Sequence, residues 1–129
     1  MAQDSATILV VDDDDEIRRV LQIVLQKSGH VVVQAANGEE ALARMVEHVP
    51  DLVLLDIMLP RLDGLEVIRR MREQAALRSI PVIAFTALTS QLIEKELFEL
   101  GVKGFMRKPL RLADLKAMIA NELSTNATA

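Results

Sequence analysis

Leu52-Val53-Leu54-Leu55 is an apolar run without alternation, and it ends on a carboxylate, Asp56. A strand with one wet face alternates apolar and polar residues. A strand that is apolar on both faces has to be covered on both, as in a parallel sheet with helices above and below it. The stretch therefore predicts a central strand whose C-terminal end carries Asp56 to the rim of the core, where open α/β sheets hold their ligands. Pro60 and Gly64 bracket the loop that follows. Asp63 reads as the N-cap of the next helix, with Glu66 three residues later completing a capping box.

The rest of the chain repeats this strand-to-helix unit. Thr7-Ile8-Leu9-Val10-Val11 breaks into Asp12-Asp13-Asp14-Asp15-Glu16, after which Ile17, Val20, Leu21, Val24 and Leu25 recur with helical spacing. Ser28-Gly29 stops that helix, Val31-Val32-Val33 is a second strand, and Asn37 with Glu40 opens a second helix that Pro50 ends. A third helix runs through Leu65, Ile68 and Met71. Pro81 precedes the strand Val82 to Phe85, which ends at Thr86, and a fourth helix carries Ile93, Leu97 and Leu100. Gly101 and Gly104 flank a short run, Phe105-Met106, that leads to Lys108-Pro109. A last helix carries Leu112, Leu115, Ile119 and Leu123, and residues 124–129 read as a polar, frayed tail.

Five strands alternating with five helices predict one α/β domain over 1–129, with a structured core at about 7–123 and a parallel sheet wound by right-handed crossovers. Every strand in such a sheet points the same way, so the residues that follow the strands gather at one edge. Four of the five strands end in a chemical group: Asp12 and Asp13, Asp56, Thr86, and Lys108. Carboxylates, a hydroxyl and an ammonium around one crevice suit a divalent cation and a phosphoryl group.

Composition removes several alternatives. With no Cys among 129 residues, disulfides, thiolate metal sites and thiol catalysis are excluded. A formal net charge of -4 argues against direct nucleic-acid binding, which needs a basic face. Apolar runs fall far short of the roughly 20 residues of a membrane helix, and the N-terminal Met1-Ala2-Gln3-Asp4-Ser5 shows no export pattern, so a cytoplasmic protein without membrane contact is expected.

At Val11-Asp12-Asp13, Leu55-Asp56, Met58-Leu59-Pro60, Asp63-Gly64, Phe85-Thr86-Ala87 and Lys108-Pro109 the chain resembles the receiver domains of bacterial two-component response regulators, typified by the chemotaxis response regulator. The likeness spans about residues 7 to 123. It implies a flavodoxin-like (βα)5 three-layer sandwich with strand order 2-1-3-4-5, and a phosphorelay protein rather than an enzyme in the ordinary sense. It implies phosphorylation of Asp56 by a histidine kinase or phosphotransfer protein, Mg2+ as cofactor, and a cis bond before Pro109. Asp13, Asp56 and the carbonyl of Met58 are the implied Mg2+ ligands, with Asp12 reaching through water. Neighbouring strands put Asp13 and Asp56 roughly 5 Å apart. Their repulsion of about 3–4 kcal/mol at an effective dielectric of about 20 would become coordination when a cation binds.

The same resemblance makes Asp56 the nucleophile, with Lys108 bridging two strand spacings toward it and Thr86 donating to a phosphoryl oxygen. Thr86 and Phe105 form the expected switch. Its output is the face of helix 4, strand 5 and helix 5, which controls a downstream effector protein or domain. Phe105 stands where many receivers have Tyr, and strand 5 lacks the paired acids that many DNA-binding regulators use to dimerise, so a monomer or weak dimer is expected. Met58 and Leu88, two places beyond Asp56 and Thr86, are apolar where polar residues can orient a hydrolytic water.

Simpler readings apply to other residues. Asp14, Asp15 and Glu16 are a solvated face that favours the helix dipole; His30 and His48 are surface residues, and the six Met are aliphatic filling. A phosphatase of the haloacid dehalogenase type would need a second Asp two residues after the nucleophile, where this chain has Met58. A flavodoxin-like nucleotide-binding module would need a Gly- or Ser/Thr-rich loop after strand 1, where five acids would repel phosphate. A third reading takes the chain as a receiver excised from a longer regulator or hybrid kinase.

Overall fold

The computed structural model describes residues 5–87 and 90–128. Strands β1 (Thr7–Val11), β2 (Val31–Ala35), β3 (Leu52–Asp56), β4 (Val82–Thr86) and β5 (Gly104–Arg107) alternate with helices α1 (Asp15–Lys27), α2 (Gly38–Glu47), α3 (Gly64–Glu73), α4 (Gln91–Glu99) and α5 (Leu112–Thr128). The strands form one parallel sheet in the order β2-β1-β3-β4-β5.

Strand period two explains the layering. Ile8, Val10, Leu52, Leu54, Ile83 and Phe85 face one side, where they pack with Leu21 and Leu25 of α1 and Leu115 and Ile119 of α5. Leu9, Val11, Val53, Leu55, Val82 and Ala84 face the other, against Ala41 and Met45 of α2, Val67, Ile68 and Met71 of α3, and Leu97 of α4. β3 and β4 are buried at every position, which is why their sequences do not alternate, whereas β2 at the sheet edge leaves Val31 exposed. Truncating a central residue such as Leu54 to Ala would cost about 2–5 kcal/mol.

Capping follows the sequence with two refinements. Asn37 accepts from the Glu40 N–H at 2.8 Å, and the Glu40 carboxylate reaches back to the N–H of Ala36 rather than to that of Asn37. Asp63 accepts from the Glu66 N–H at 3.0 Å, but the Glu66 carboxylate turns to Arg69 and Arg70 instead of closing a capping box. Two competing guanidiniums lie on its own helix face, one turn away. Asp14 caps α1. His30 is half-buried rather than a plain surface residue, because its Nδ1 accepts from the Ala6 N–H at 3.1 Å and ties the start of β1 to β2. The expected frayed tail is helical as far as Thr128: no Gly or Pro follows Leu112 to stop α5.

Candidate functional site

Asp12, Asp56 and Thr86 are the buried polar or charged residues among those described, and all three stand at the C-terminal edge of the sheet. Register decides how they meet. Val11 pairs with Leu55, so Asp12 is the lateral neighbour of Asp56, and Asp13 lies one step further out on the exposed rim. The lateral place beside Asp56 that was expected of Asp13 therefore belongs to Asp12. The loop still turns Asp13 inward enough that one carboxylate oxygen each from Asp12, Asp13 and Asp56 lies within 4.8 Å of the others.

The loop after β3 brings backbone close to Asp56. Its Oδ1 accepts from the Met58 N–H at 3.0 Å, while the Met58 side chain stays half-exposed. Gly64 permits this turn: a Cβ there would come within 2.6 Å of the Ile57 Cα and 2.8 Å of the Asp56 carbonyl oxygen, so the start of α3 can press against the loop only without a side chain. Arg61, in the same loop, takes a left-handed φ of 68°.

Lys108 enters from the far side. Its backbone N–H donates to the Thr86 carbonyl at 2.9 Å, extending the β4–β5 ladder, and the Lys108–Pro109 bond is cis. The side chain passes over the ring of Phe85, with Nζ 5.5 Å from the centroid. Nζ then donates to Asp56 Oδ2 at 2.9 Å and stands 3.0 Å from Asp12 Oδ2. Asp12 Oδ1 accepts from the Asp14 N–H at 2.9 Å, but buried Oδ2 has only that ion pair and no well-directed hydrogen bond.

Burial pushes the Asp56 carboxyl above its ordinary value. The Lys108 and Met58 hydrogen bonds pull the other way, and the Asp12 charge adds to the rise. Burial alone would lower the Lys108 ammonium, but the hydrogen bond to Asp56 and the paired charges of Asp56 and Asp12 together outweigh it and raise it. Three clustered carboxylates, one of them solvent-accessible and one with a buried oxygen lacking a directed donor, suit a hard divalent cation with oxygen ligands.

Phe105 is opposite Ala84 in the β4–β5 register and packs, half-buried, on the α2–α3–α4 side. Thr86 is two residues beyond Ala84 and shares that face, so Thr86 and Phe105 are diagonal neighbours. Leu88 lies outside the described residues. Two participants went unnoticed in the sequence. Phe85 as the platform for Lys108 follows from the strand order, since β4 lies between β3 and β5. Arg18, which donates to the Asp12 carbonyl at 2.6 Å, has no mark in the sequence that separates it from Arg19.

Among the described residues no helix is long and apolar enough to cross a membrane. Residues 8–120 match the family model for the response regulator receiver domain. The chain is 39% identical over 112 residues to the alkaline phosphatase synthesis transcriptional regulatory protein PhoP of Bacillus subtilis, which covers 87% of this chain and 46% of that protein. It thus spans about half the length of the curated relatives it matches. Among solved structures, a CheY-like response regulator receiver domain protein from Methanospirillum hungatei superposes with a TM-score of 0.89 at 27% identity, covering 95% of this chain and 96% of that one. The BeF3-activated N-terminal receiver domain of Klebsiella pneumoniae RstA gives 0.83 at 32% identity, covering 91% and 97%. Sheet order, the acidic edge and these likenesses agree, and the chain belongs to the response regulator receiver domain family.

Proposed function

We propose that this receiver accepts a phosphoryl group on Asp56 from a phosphohistidine of a histidine kinase or phosphotransfer protein, and that the modified site switches a distant face toward a downstream partner. The observation that carries this reading is the Asp56 carboxylate itself. It is 2% exposed, sits at the end of a buried strand, and is held between two further carboxylates and the Lys108 ammonium. A structural acid would have no use for two like charges beside it.

Asp12, Asp13 and Asp56 would hold Mg2+ together with the Met58 carbonyl, with Asp12 bound directly or through water. When bound, the cation neutralises the carboxylates and the charge of the incoming phosphoryl oxygens. Asp56 attacks phosphorus through a carboxylate oxygen, the phosphorus–nitrogen bond breaks, and the imidazole leaves with its electron pair. Lys108, pre-held by Asp56 and Asp12, then pairs with a phosphoryl oxygen, and the Thr86 hydroxyl donates to another. Phe105 moves into the space that Thr86 leaves, which alters the surface of α4, β5 and α5. Water attack on phosphorus releases inorganic phosphate and restores the carboxylate.

The relation to a BeF3-activated receiver supports this reading, because trifluoroberyllate has the size and charge of a phosphoryl group. Relatives named as transcriptional regulators support an effector domain or protein that acts on transcription as the downstream partner. The net charge of -4 supports no direct nucleic-acid contact by this domain, and the lack of paired acids in β5 supports at most a weak dimer. Intact mass after incubation with Mg2+ and acetyl phosphate tests the acceptor. One phosphoryl group is added to the parent and none to Asp56→Asn; equal labelling of both would exclude Asp56.

A further inference from the structure

The polar side chains beside the acidic loop that this chemistry leaves without a task are Arg18, Gln34 and Gln22. Arg18 stands near the start of α1, and its side chain is 13% exposed, low for a residue type that is rarely buried unless paired. Its nitrogens go to three places. Nη1 donates to the Asp12 carbonyl at 2.6 Å, Nε donates to Gln34 Oε1 at 3.0 Å, and Nη2 pairs with Asp15. Gln34 on β2 is held in turn by Gln22 of α1, to which its amide donates.

The contact with Asp12 is to its main chain, so Arg18 does not compete for the ligand oxygens. That carbonyl belongs to the planar peptide group joining Asp12 to Asp13. Behind it, the Asp12 N–H donates to the Ala35 carbonyl at 3.2 Å, so both ends of the residue are tied to fixed partners. Anchoring the oxygen sets the direction in which Asp13 leaves β1. Asp13 depends on this more than its neighbours do. It is exposed, and among the described residues its carboxylate accepts no hydrogen bond, whereas the Asp12 and Asp56 carboxylates each accept one from a loop N–H.

We infer that Arg18 is a positioning residue for the divalent-cation site: by holding the Asp12 carbonyl it orients the Asp12–Asp13 peptide and presents Asp13 beside Asp12 and Asp56, while Gln34 and Gln22 hold the guanidinium. The inference rests on reading the acidic cluster as a cation site. A guanidinium nearby also repels a cation, and that effect has the opposite sign. Asp15 supplies its counter-charge, so the field left at the site is small, and removing Arg18 chiefly loses the hydrogen bonds.

Arg18→Met keeps an apolar stem and removes every donor. Titrating Mg2+ into protein without phosphodonor should show a dissociation constant raised about ten-fold, the lower end of what loss of an outer-shell partner produces. Amide exchange at Asp13 and Asp14 should be faster even in chelator, where no cation contributes. Phosphorylation by acetyl phosphate should need more Mg2+ yet regain most of the parent's maximal rate at saturation. Gln34→Ala should raise the dissociation constant by less, and the double variant should fall short of the product of the two effects because both act through one guanidinium.

Equal or tighter Mg2+ binding by a folded Arg18→Met protein overturns the inference alone, and so does a lowered maximal rate at unchanged affinity. Should Arg18→Met fail to fold, Gln34→Ala decides: weaker binding with full maximal rate supports the inference, and unchanged binding overturns it. A parent chain that binds no divalent cation overturns the reading of the cluster and this inference with it.

Discussion

Lys108 Nζ lies 2.9 Å from Asp56 Oδ2, although the strands that lead to the two residues, β5 and β3, are separated by β4. The lysine stem crosses the face of Phe85 to make the contact, and the same ammonium stands 3.0 Å from Asp12 Oδ2. One ammonium thus serves two buried carboxylates. Under the proposed function the same ammonium would lie beside a phosphoryl group carried on Asp56.

Removing that cation leaves Asp12 and Asp56 facing each other. Lys108→Met in chelator should lose about 1–3 kcal/mol of unfolding free energy, the usual cost of stripping a partner from a buried polar group. Urea unfolding with and without Mg2+ checks this, since the added cation should restore part of the loss.

Asp56 gives the site a pH dependence of known sign. Its folded-state pKa lies above its unfolded value, chiefly through burial, so the stability it contributes is fully present below the unfolded value of about 3.9 and is lost as the pH rises through the folded value. In chelator, Asp56→Asn should therefore gain on the parent as the pH is raised from about 4 toward neutrality, measured as a widening difference in Tm. The raised Lys108 contributes stability that holds through neutrality and is lost only as the pH climbs through its folded value, above the ordinary lysine value of about 10.4.

A divalent cation relieves carboxylate repulsion in the folded state only. At ten times its dissociation constant Mg2+ should stabilise the fold by about 1.4 kcal/mol. Asp13→Ala should abolish most of this gain, because Asp13 is the solvent-accessible member of the cluster. Thermal melts across a Mg2+ titration read it directly, and a parent Tm that ignores millimolar Mg2+ would count against the site.

Thr86 and Phe105 share one face of the sheet, with Phe105 opposite Ala84. Phosphorylation should slow or speed amide exchange on α4, β5 and α5 in the parent, as a biased two-state element does. Thr86→Ala should still take up phosphate but leave that face unchanged. Identical exchange changes in parent and variant would exclude this coupling.

Much of the site was legible because parallel strands send their C-terminal residues to one edge whatever the details of packing. Leu52 to Leu55 and Val82 to Phe85, apolar at every position, identify central strands, and their ends place Asp56 and Thr86 together without knowledge of any distance. Asp12, Asp13 and Lys108 follow by the same rule. The starts of α2 and α3 at Asn37 and Asp63 were legible too, since a cap is a contact between residues three apart, whereas Asp14, read as part of a solvated acidic face, and Ser90 were not read as caps.

What tertiary structure alone decided depends on contacts between segments far apart in the chain. Which aspartate stands beside Asp56 is a matter of register between β1 and β3, and a shift of one residue exchanges Asp12 for Asp13. The path of Lys108 over Phe85 and the hold of Arg18 on the Asp12 carbonyl depend on side-chain conformations chosen by the packed core, which local sequence does not specify. Sequence by itself determined which chemical groups reach the edge of the sheet; packing determined which of them touch, because hydrogen bonds and ion pairs need distances that only the assembled layers set.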